Sequence, residues 1–275
     1  MAMTHSEAST TSDRRLGVLR GRGLLTALMV GAFLWSLTTV GWGGSLLHPG
    51  GLASLAEFLW AALTPELSPS FLRLTLESAW TTVAYAVAGI CLAVILGLAF
   101  GIPASGVLFR SAGLRVPAVG GLRFTLAFMR AIHELVWAWF FVVAVGLSPM
   151  AAVMALAIPY GGILGRVYAD ILNDVPEQPL RALRTAGASE LKVLVYGRMP
   201  MALPDMLGYS FYRLECAIRA VAIMGFVGIG GLGLQVQLSL DDLFYGEVWT
   251  LLYAIIGLVA LVDAWSSWVR RSLTS

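Results

Sequence analysis

The sequence has 275 residues, of which 58% are apolar and 12% are charged, with a formal net charge of +2 and a mean hydropathy of +0.81. Soluble proteins carry about 25% charged residues, so this composition excludes a water-soluble globule and predicts a membrane protein. Lys192 is the only lysine in the sequence and it follows Leu191. This excludes a phosphate-binding loop of the type G-x-x-x-x-G-K-[ST], and we expect no ATP binding of that kind in this chain.

Six apolar stretches are long enough to cross the hydrocarbon core of a bilayer, which takes about 20 residues of helix. Because lipid offers no partners to unpaired backbone groups, each stretch is predicted to be a helix. In chain order, the stretches lie near Gly23–Trp42, Leu76–Gly101, Thr125–Leu147, Met150–Leu172, Met206–Ile229 and Glu247–Val269.

Two connections between these stretches are predicted to contain helices of their own. The semi-apolar segment Pro49–Ser70 predicts a short helix at the membrane interface. The amphipathic segment Leu180–Arg198 predicts a pair of short helices, broken near Gly187-Ala188-Ser189. Small residues at Gly97-x-x-x-Gly101 and Gly161-x-x-x-Gly165 predict close packing between helices.

The placement of the basic residues predicts that both termini face the cytoplasm. Arginine or lysine occurs in both terminal tails and in the connections after the second and fourth stretches. The alternate connections Gly43–Leu72, Ser148–Pro149 and Gly230–Gly246 contain neither, and positive charge marks the cytoplasmic side. The sequence therefore predicts six transmembrane helices, a cytoplasmic tail over residues 1–22, a membrane domain over residues 23–269 and a second cytoplasmic tail over residues 270–275.

Charged residues inside two of the stretches are candidates for function. The third stretch carries Arg130 and Glu134, and the fifth carries Arg213, Glu215 and Arg219. At 1.5 Å per residue from the start of the fifth stretch, Glu215 and Arg219 lie about 13 and 20 Å deep. Charges at such depth pair or face water. Two interpretations follow: a structural ion pair between Glu215 and Arg219, which share a helix face, or a polar path with a positive element for an anionic cargo.

Two short motifs match fingerprints of soluble proteins without the required context. His133-Glu134-Leu135-Val136-Trp137 begins like the zinc-protease motif H-E-x-x-H but has tryptophan at the second ligand position, so no metal site is predicted. Residues 228–233 fit G-x-G-x-x-G, which binds dinucleotides only between a strand and a helix. Glycines at these positions instead permit an irregular backbone, and an outer gate and a helix-ending turn explain them equally well. They are Gly228, Gly230, Gly231 and Gly233.

The connection between the fourth and fifth stretches contains a recognisable motif. It reads Arg181-Ala182-Leu183-Arg184-Thr185-Ala186-Gly187-Ala188-Ser189 and ends in Gly197-Arg198-Met199-Pro200. It resembles the cytoplasmic motif of ABC importer permeases, E-A-A-x-x-x-G-x9-I-x-L-P, with Gly187 and Pro200 in register. Arg181 stands where that family has Glu, and Gly197 where it has Ile.

In that family, the motif forms a coupling helix that docks into a groove on the ATPase subunit. The resemblance therefore implies a coupling segment over residues 177–200 of this chain. The residues expected to couple to the ATPase are Arg181, Ala182, Arg184, Gly187, Ala188, Ser189 and Pro200.

A narrower set of motifs spans residues 129–236, approximately. It consists of Arg130-Ala131-Ile132-His133-Glu134-Leu135-Val136-Trp137, Tyr209-Ser210-Phe211-Tyr212-Arg213-Leu214-Glu215, Ile218-Arg219-Ala220 and Val227-Gly228-Ile229-Gly230-Gly231-Leu232-Gly233. In this order, the motifs resemble the phosphonate importer permease family. His133 stands where that family has Pro, and Ala217 where it has Asn.

This resemblance implies an all-α type I ABC importer permease that is a multi-pass protein of the cell membrane and has no enzymatic activity or cofactor of its own. It implies a homodimer bound to two ATPase subunits, which hold ATP and Mg. An extracytoplasmic phosphonate-binding protein is expected to deliver the cargo. Membrane lipid is expected to surround the dimer, and no nucleic acid is expected to bind. The alternatives that stay open are phosphite, hypophosphite, another oxyanion or an amino acid as cargo. An ion-coupled secondary transporter that uses Glu134 and Glu215 as proton sites is a further alternative.

The depth and charge of the intramembrane residues assign them roles in this machine. We expect Arg219 and Arg213 to line the translocation path, and Glu215 and Glu134 to hold these arginines or to gate the path. Arg130 lies nearer the cytoplasmic surface, where snorkelling of its side chain also accounts for it.

Overall fold

The computed structural model describes residues 7–39, 50–109 and 112–274, and these residues form helices and short connections without strands. The end of the first predicted stretch, residues 40–42, lies outside the described residues. The helices, in chain order, are α1 (Glu7–Thr39), α2 (Gly51–Ala61), α3 (Pro69–Ala104), α4 (Ala112–Ala131), α5 (Glu134–Val145), α6 (Pro149–Asp174), α7 (Glu177–Thr185), α8 (Glu190–Val193), α9 (Met199–Met224), α10 (Leu232–Asp241) and α11 (Tyr245–Thr274).

The lengths and hydropathies of the helices confirm the all-α membrane class. Three helices, α3, α6 and α11, are long and apolar enough to cross a membrane by themselves. Two bent pairs, α4 with α5 and the continuous run Glu190–Val227 with α10, raise the number of candidate spans to five. Residues Gly23–Thr39 of α1 form a shorter apolar helix. The sixth crossing and the cytoplasmic position of both termini stay predictions.

The chain divides into two compact units, Met1–Ala56 and Glu57–Ser275, and the second contains α3 to α11. Its central helix is α6, because 61% of the apolar part of α6 is buried, compared with 28% for α3 and 22% for α11. The outer surfaces of α3 and α11 are therefore available to lipid.

Small residues bring α3 and α6 into direct backbone contact. A Cβ atom added to Gly101 would lie 2.5 Å from the carbonyl oxygen of Gly165, and one added to Gly161 would lie 2.9 Å from the Cβ of Leu96. Neither glycine could therefore carry a side chain without moving the helices apart. This confirms the close packing that the small-residue spacing predicts.

The third predicted stretch, Thr125–Leu147, is not one helix. It breaks after Ala131, and α4 and α5 meet at an angle of 86°. His133 is the N-cap of α5, with an extended backbone (ψ 145°) and a ring Nδ1 that accepts a hydrogen bond of 3.2 Å from the amide of Leu135. The His133 side chain thus supplies an acceptor for the amide of Leu135, one of the first amides of α5, which have no acceptor within the helix.

The structure also changes the prediction for the cytoplasmic connection and the start of the fifth stretch. The break at residues 186–189 is present, but only α7 is a separate short helix. The second half, α8, continues through a π-helical turn at Leu194–Arg198 into α9. Pro200 lies in the first turn of α9, directly after the π-helical turn.

Two of the three connections predicted to face outward contain helices. The predicted short helix within Pro49–Ser70 is confirmed as α2. The segment Gly230–Gly246, which the sequence predicted as a plain connection, contains the ten-residue helix α10, set at 42° to the preceding helix.

Candidate functional site

Three helices bring predicted site residues around one buried tyrosine. Tyr160, in the middle of α6, is 5% exposed and lies within electrostatic reach of Glu134 on α5 and of Arg213 and Arg219 on α9. The residues that the sequence selected on two separate stretches therefore converge on the central helix. Arg130 is different, because it is exposed in the last turn of α4.

Arg213 is held by tyrosines. Its Nη2 and Nε donate hydrogen bonds of 2.6 and 3.1 Å to the hydroxyl of Tyr209. Its guanidinium carbon lies 5.2, 5.5 and 5.9 Å from the ring centres of Tyr209, Tyr212 and Tyr160, respectively. No carboxylate of the described part of the chain forms a salt bridge with Arg213. Its positive charge is therefore stabilised by dipoles and ring faces and is not neutralised.

Arg219 differs from Arg213 in having a carboxylate partner. Its Nη2 lies 3.1 Å from Oε1 of Glu215 one helical turn earlier, and the two side chains are 53% and 15% exposed. This confirms that Glu215 and Arg219 share a face of α9 and form an ion pair, while Arg213 points elsewhere. Within this cluster, Arg213 is therefore the arginine whose charge no carboxylate of the described residues pairs.

The tyrosines beside Arg213 open into a cavity. A space of about 470 Å³ between α6, α9 and α11 is lined by Tyr209, Tyr212, Asp205 and Pro204, among others. The sequence analysis did not select Tyr160, Tyr209 or Tyr212. A signal for two of them is present, because Tyr209, Tyr212 and Arg213 follow the i, i+3, i+4 spacing that places side chains together on a helix.

The break between α4 and α5 is stabilised by the residues of the false zinc motif. Trp137, at the position of the missing second ligand, donates a hydrogen bond of 3.3 Å from Nε1 to the carbonyl of Met129 on α4. His133 Nε2 and Glu134 Oε2 are 3.8 Å apart. These residues orient α5. The side chain of Glu134 is 23% exposed and lies within electrostatic range of Tyr160.

The predicted coupling residues lie on and around α7. Arg181, Ala182, Gly187, Ser189 and Pro200 are exposed, as a docking surface requires. Gly187 has a φ of +86°, a conformation that favours glycine, and this fixes the break after α7. Ala188 is partly buried against the core.

Arg184 faces the protein rather than the outer surface of α7. Its guanidinium contacts Oε2 of Glu177 at 2.9 Å and Oε1 of Glu190 at 3.2 Å. The hydrogen bonds to Glu190 and then to Glu177 raise the pKa of Arg184. Hydrogen bonding from Arg184 in turn lowers the pKa of the Glu177 carboxyl. The prediction that Arg184 contacts an ATPase therefore has a competing explanation within this chain.

The glycines of the predicted outer gate form a tight turn between α9 and α10. Gly228 and Gly231 have φ values of +82° and +119°. A Cβ atom at Gly233 would overlap the carbonyl of Ala222, and one at Gly225 would overlap the backbone of Gly233. The close approach of two backbones explains these positions structurally, and a gating role stays a prediction.

The described residues thus form a helical membrane unit with a charged cluster at its centre and an amphipathic helix at one end, which is the arrangement of a membrane transport subunit. The sequence matches over residues 69–275 the family described as "Binding-protein-dependent transport system inner membrane component". The chain belongs to this family, and it is an inner membrane component of such a transport system.

Relatives and solved structures agree with this assignment. The chain is 30% identical over 280 residues to the phosphite transport system permease protein PtxC of Stutzerimonas stutzeri, covering 98% of this chain and 99% of that protein. It is 30% identical to the phosphate-import permease protein PhnE of Mycolicibacterium smegmatis over 80% of this chain and 42% of that protein. Identity to the putative cryptic phosphonate transport system permease protein PhnE2 of Escherichia coli is 29%, over 43% of this chain and 97% of that protein.

The fold is that of a known ABC importer. A structure of the inward-facing MetNI methionine ABC transporter superposes with a TM-score of 0.65 at 23% identity, covering 76% of this chain and all of that chain. This likeness confirms the predicted importer permease fold.

Proposed function

We propose that this chain is the permease subunit of an ATP-driven importer of a phosphorus oxyanion, and that phosphite is its first candidate cargo. The observation that carries the proposal is the environment of Arg213. This arginine is half-buried, lies beside a cavity and forms no salt bridge within the described residues. The names of the relatives support the chemical class, since phosphite, phosphate and phosphonate all present a tetrahedral anionic group of oxygens on phosphorus. A relative that matches 98% of the chain is named for phosphite, whereas the sequence motifs resemble phosphonate permeases.

The charge distribution in the cluster is suited to a weakly held anion. An anion that leaves water needs compensating charge or hydrogen bonds, and a permease must release it again. Arg213 offers a full positive charge, but its donors are already partly satisfied by Tyr209. Arg219 offers less, because Glu215 balances its charge at 3.1 Å. We therefore assign the main contact with the anion to Arg213 and a supporting role to Arg219 and Glu215.

The proposal includes the partners that the family and the coupling motif imply. A second permease copy completes the path, two ATPase subunits bind ATP and Mg and dock at residues 177–200, and an extracytoplasmic binding protein delivers the anion. The exposed face of α7, with Arg181, Ala182 and Thr185, is the docking surface. Membership of a binding-protein-dependent family favours this machine over an ion-coupled transporter.

Uptake by intact cells tests the proposal. Cells that lack the gene are supplemented with the wild type, Arg213→Ala, Arg219→Ala or the control Arg73→Ala, which alters an exposed ion pair. Loss of phosphite and, separately, of methylphosphonate from the medium is followed by phosphorus NMR, and membrane levels of each variant are measured by immunoblot.

The expected result is that uptake of at least one of these compounds requires the gene and falls about tenfold or more with Arg213→Ala, because a charge-assisted hydrogen bond contributes about 1.5–3 kcal/mol. Arg219→Ala should have a smaller effect, and Arg73→Ala none. Uptake that is independent of the gene for both compounds contradicts the cargo class. Normal uptake by Arg213→Ala contradicts the role of Arg213.

A further inference from the structure

Arg198 is the most buried charged residue in the described part of the chain, with its side chain 8% exposed. It lies at the end of the π-helical turn that leads into α9. Burial of a guanidinium is unfavourable unless its donors are paired. The contacts that satisfy Arg198 therefore indicate what this residue holds together.

Two separate helices supply the acceptors for Arg198. Its Nη1 donates a hydrogen bond of 2.6 Å to the carbonyl of Leu172, in the last turn of α6. Its Nη2 donates one of 2.6 Å to Oε1 of Glu177, the first residue of α7. One planar side chain thus joins the end of α6, the start of α7 and the beginning of α9.

The other end of α7 is fixed by a second ion pair of the same network. Glu177 uses its second oxygen to bind Arg184, at 2.9 Å, and Arg184 binds Glu190 at the start of α8 at 3.2 Å. The chain of contacts runs from Leu172 through Arg198, Glu177 and Arg184 to Glu190. Both ends of α7 are therefore attached to the helix that becomes α9.

The centre of α7 is attached by apolar packing. Leu180 is 0% exposed, and a Cβ atom at Gly197 would lie 2.8 Å from Cδ2 of Leu180 and 2.9 Å from Cδ1 of Leu183. The missing side chain at Gly197 lets α7 lie close against the π-helical turn. With its two ends and its centre attached, α7 has no free hinge despite the break at residues 186–189.

We propose that Arg198 is a positioning residue for transport, which makes α7 move as one rigid body with the end of α6 and with α9. This inference rests on the proposed function, in which an ATPase pushes on the exposed face of α7. The helical run that starts at Glu190 continues to Val227 and carries Arg213 and Glu215. At 1.5 Å per residue, it conveys a displacement over about 35 Å to Arg213. Without Arg198, the start of α7 would lose its attachment to the end of α6 and to the beginning of α9, and movement of that end of α7 would absorb part of the push.

The test uses the complete complex of this permease with its ATPase subunits and binding protein, reconstituted in liposomes. Wild type, Arg198→Met and the control Arg73→Met are compared for ATP hydrolysis and for uptake of labelled phosphite and methylphosphonate. Methionine fills much of the volume of arginine and places no charge at the buried position. Removing one partner of a buried ion pair destabilises a protein through the charge that is left behind, but here the remaining partner, Glu177, is 46% exposed and can be hydrated. If Arg198→Met does not assemble, Glu177→Gln weakens the same contact from the other side, because it removes the negative charge and keeps an acceptor oxygen.

The expected result is a lower ratio of uptake to ATP hydrolysis in Arg198→Met. Arg198→Met should hydrolyse ATP at more than about half the wild-type rate, since the exposed face of α7 is unchanged, while uptake per ATP falls about tenfold. Arg73→Met should resemble the wild type. If uptake per ATP is unchanged, the proposal is overturned. This holds when hydrolysis and uptake fall by the same factor, which indicates a role in assembly alone, and when neither of them falls.

Hydrogen exchange on the same complexes separates this proposal from the proposed cargo. If the wild type takes up neither compound, the cargo assignment fails, and the rigidity of α7 is still measured. Amides of residues 178–186 should exchange about tenfold faster in Arg198→Met than in the wild type or Arg73→Met. Equal exchange in all three overturns the rigid attachment of α7.

Discussion

The hydroxyl of Thr82 on α3 accepts a hydrogen bond of 2.9 Å from the amide of Leu232, the first residue of α10. Thr82 is 0% exposed, and its hydroxyl also donates to the carbonyl of Ser78 at 2.9 Å. The first amides of a helix have no partner within the helix. A Cβ atom at Gly231 would lie 2.7 Å from Oγ1 of Thr82, so the absence of a side chain there lets Thr82 approach. A residue of another helix thus caps α10 and fixes the glycine turn.

Thr82→Val should therefore destabilise the turn between α9 and α10. Valine has nearly the shape of threonine but no acceptor, so the buried amide of Leu232 would lose its partner, at about 1–3 kcal/mol. Thermal unfolding of the purified protein in detergent measures the change, with Thr82→Ser as the control that keeps the hydroxyl. Equal stability of the Val and Ser variants would show that this hydrogen bond contributes little.

Gly233→Ala should prevent the turn from forming. The new Cβ atom would overlap the carbonyl of Ala222, and neither backbone can move without opening the contact between α9 and α10. We expect folded protein in the membrane to be lost, as measured by fluorescence-detected size-exclusion chromatography. The matched control is Gly257→Ala, because a Cβ at Gly257 would meet nothing within 4 Å. A normal elution profile for Gly233→Ala would contradict the close backbone contact.

The apolar stretches of the sequence predicted the helical class well, because hydropathy in lipid directly selects helices. They did not predict the break at His133, because the residues on both sides of it are apolar and hydropathy averaged over Thr125–Leu147 joins them across Arg130, His133 and Glu134. The signal there is local: an N-cap side chain followed by the acidic residue Glu134 in the first turn of α5, a pattern typical of a helix start. Stretches defined by hydropathy merge two helices whenever both are apolar.

The start of α9 was also predicted too late. The fifth stretch was predicted to begin near Met206, yet Pro200 occupies the first turn of α9 and Pro204 lies inside it. The sequence did select Arg213, Glu215 and Arg219 from depth and charge. It did not separate their roles, because the tyrosine partners of Arg213 include Tyr160 on another helix, and such a contact depends on packing.

Tyr209→Phe should impair uptake without removing the ring that faces Arg213. The variant loses the oxygen that accepts two hydrogen bonds from Arg213, so the guanidinium is less firmly held beside the tyrosine rings. We expect uptake at low phosphite concentration to fall several-fold, since a hydrogen bond contributes about 1 kcal/mol. Initial uptake rates over a range of concentrations measure this change.

Tyr212→Phe is the control for that variant. The ring of Tyr212 also faces Arg213, at 5.5 Å, but its hydroxyl has no hydrogen bond to Arg213. It should transport as the wild type does. Equal rates for Tyr209→Phe and Tyr212→Phe would mean that the ring faces alone hold Arg213.

The attachment of α7 should depend on pH in the acid range. The hydrogen bond from Arg184, and then the charge of Arg198, lower the pKa of the Glu177 carboxyl. A carboxylate whose pKa is lowered in the folded state stabilises the fold fully above its unfolded pKa, about 4.3, and this stabilisation is lost as the pH falls through the folded pKa. The contribution of Glu177 should thus be constant between about pH 5 and 8, decline as the pH falls below about 4.3, and be lost below the lowered pKa of the folded state.

The measurement is the difference in melting temperature between the wild type and Glu177→Gln as a function of pH. Because Glu177 is 46% exposed, solvent screening keeps this difference small, and its pH dependence is more informative than its size. The difference should be largest near neutral pH and should shrink to nothing in acid, since a protonated Glu177 and a glutamine are equally uncharged beside Arg198 and Arg184. The control Glu77→Gln alters the exposed pair with Arg73 and should show a smaller difference at neutral pH. A difference between wild type and Glu177→Gln that persists unchanged below about pH 3 would mean that the shape of the carboxyl, and not its charge, attaches α7.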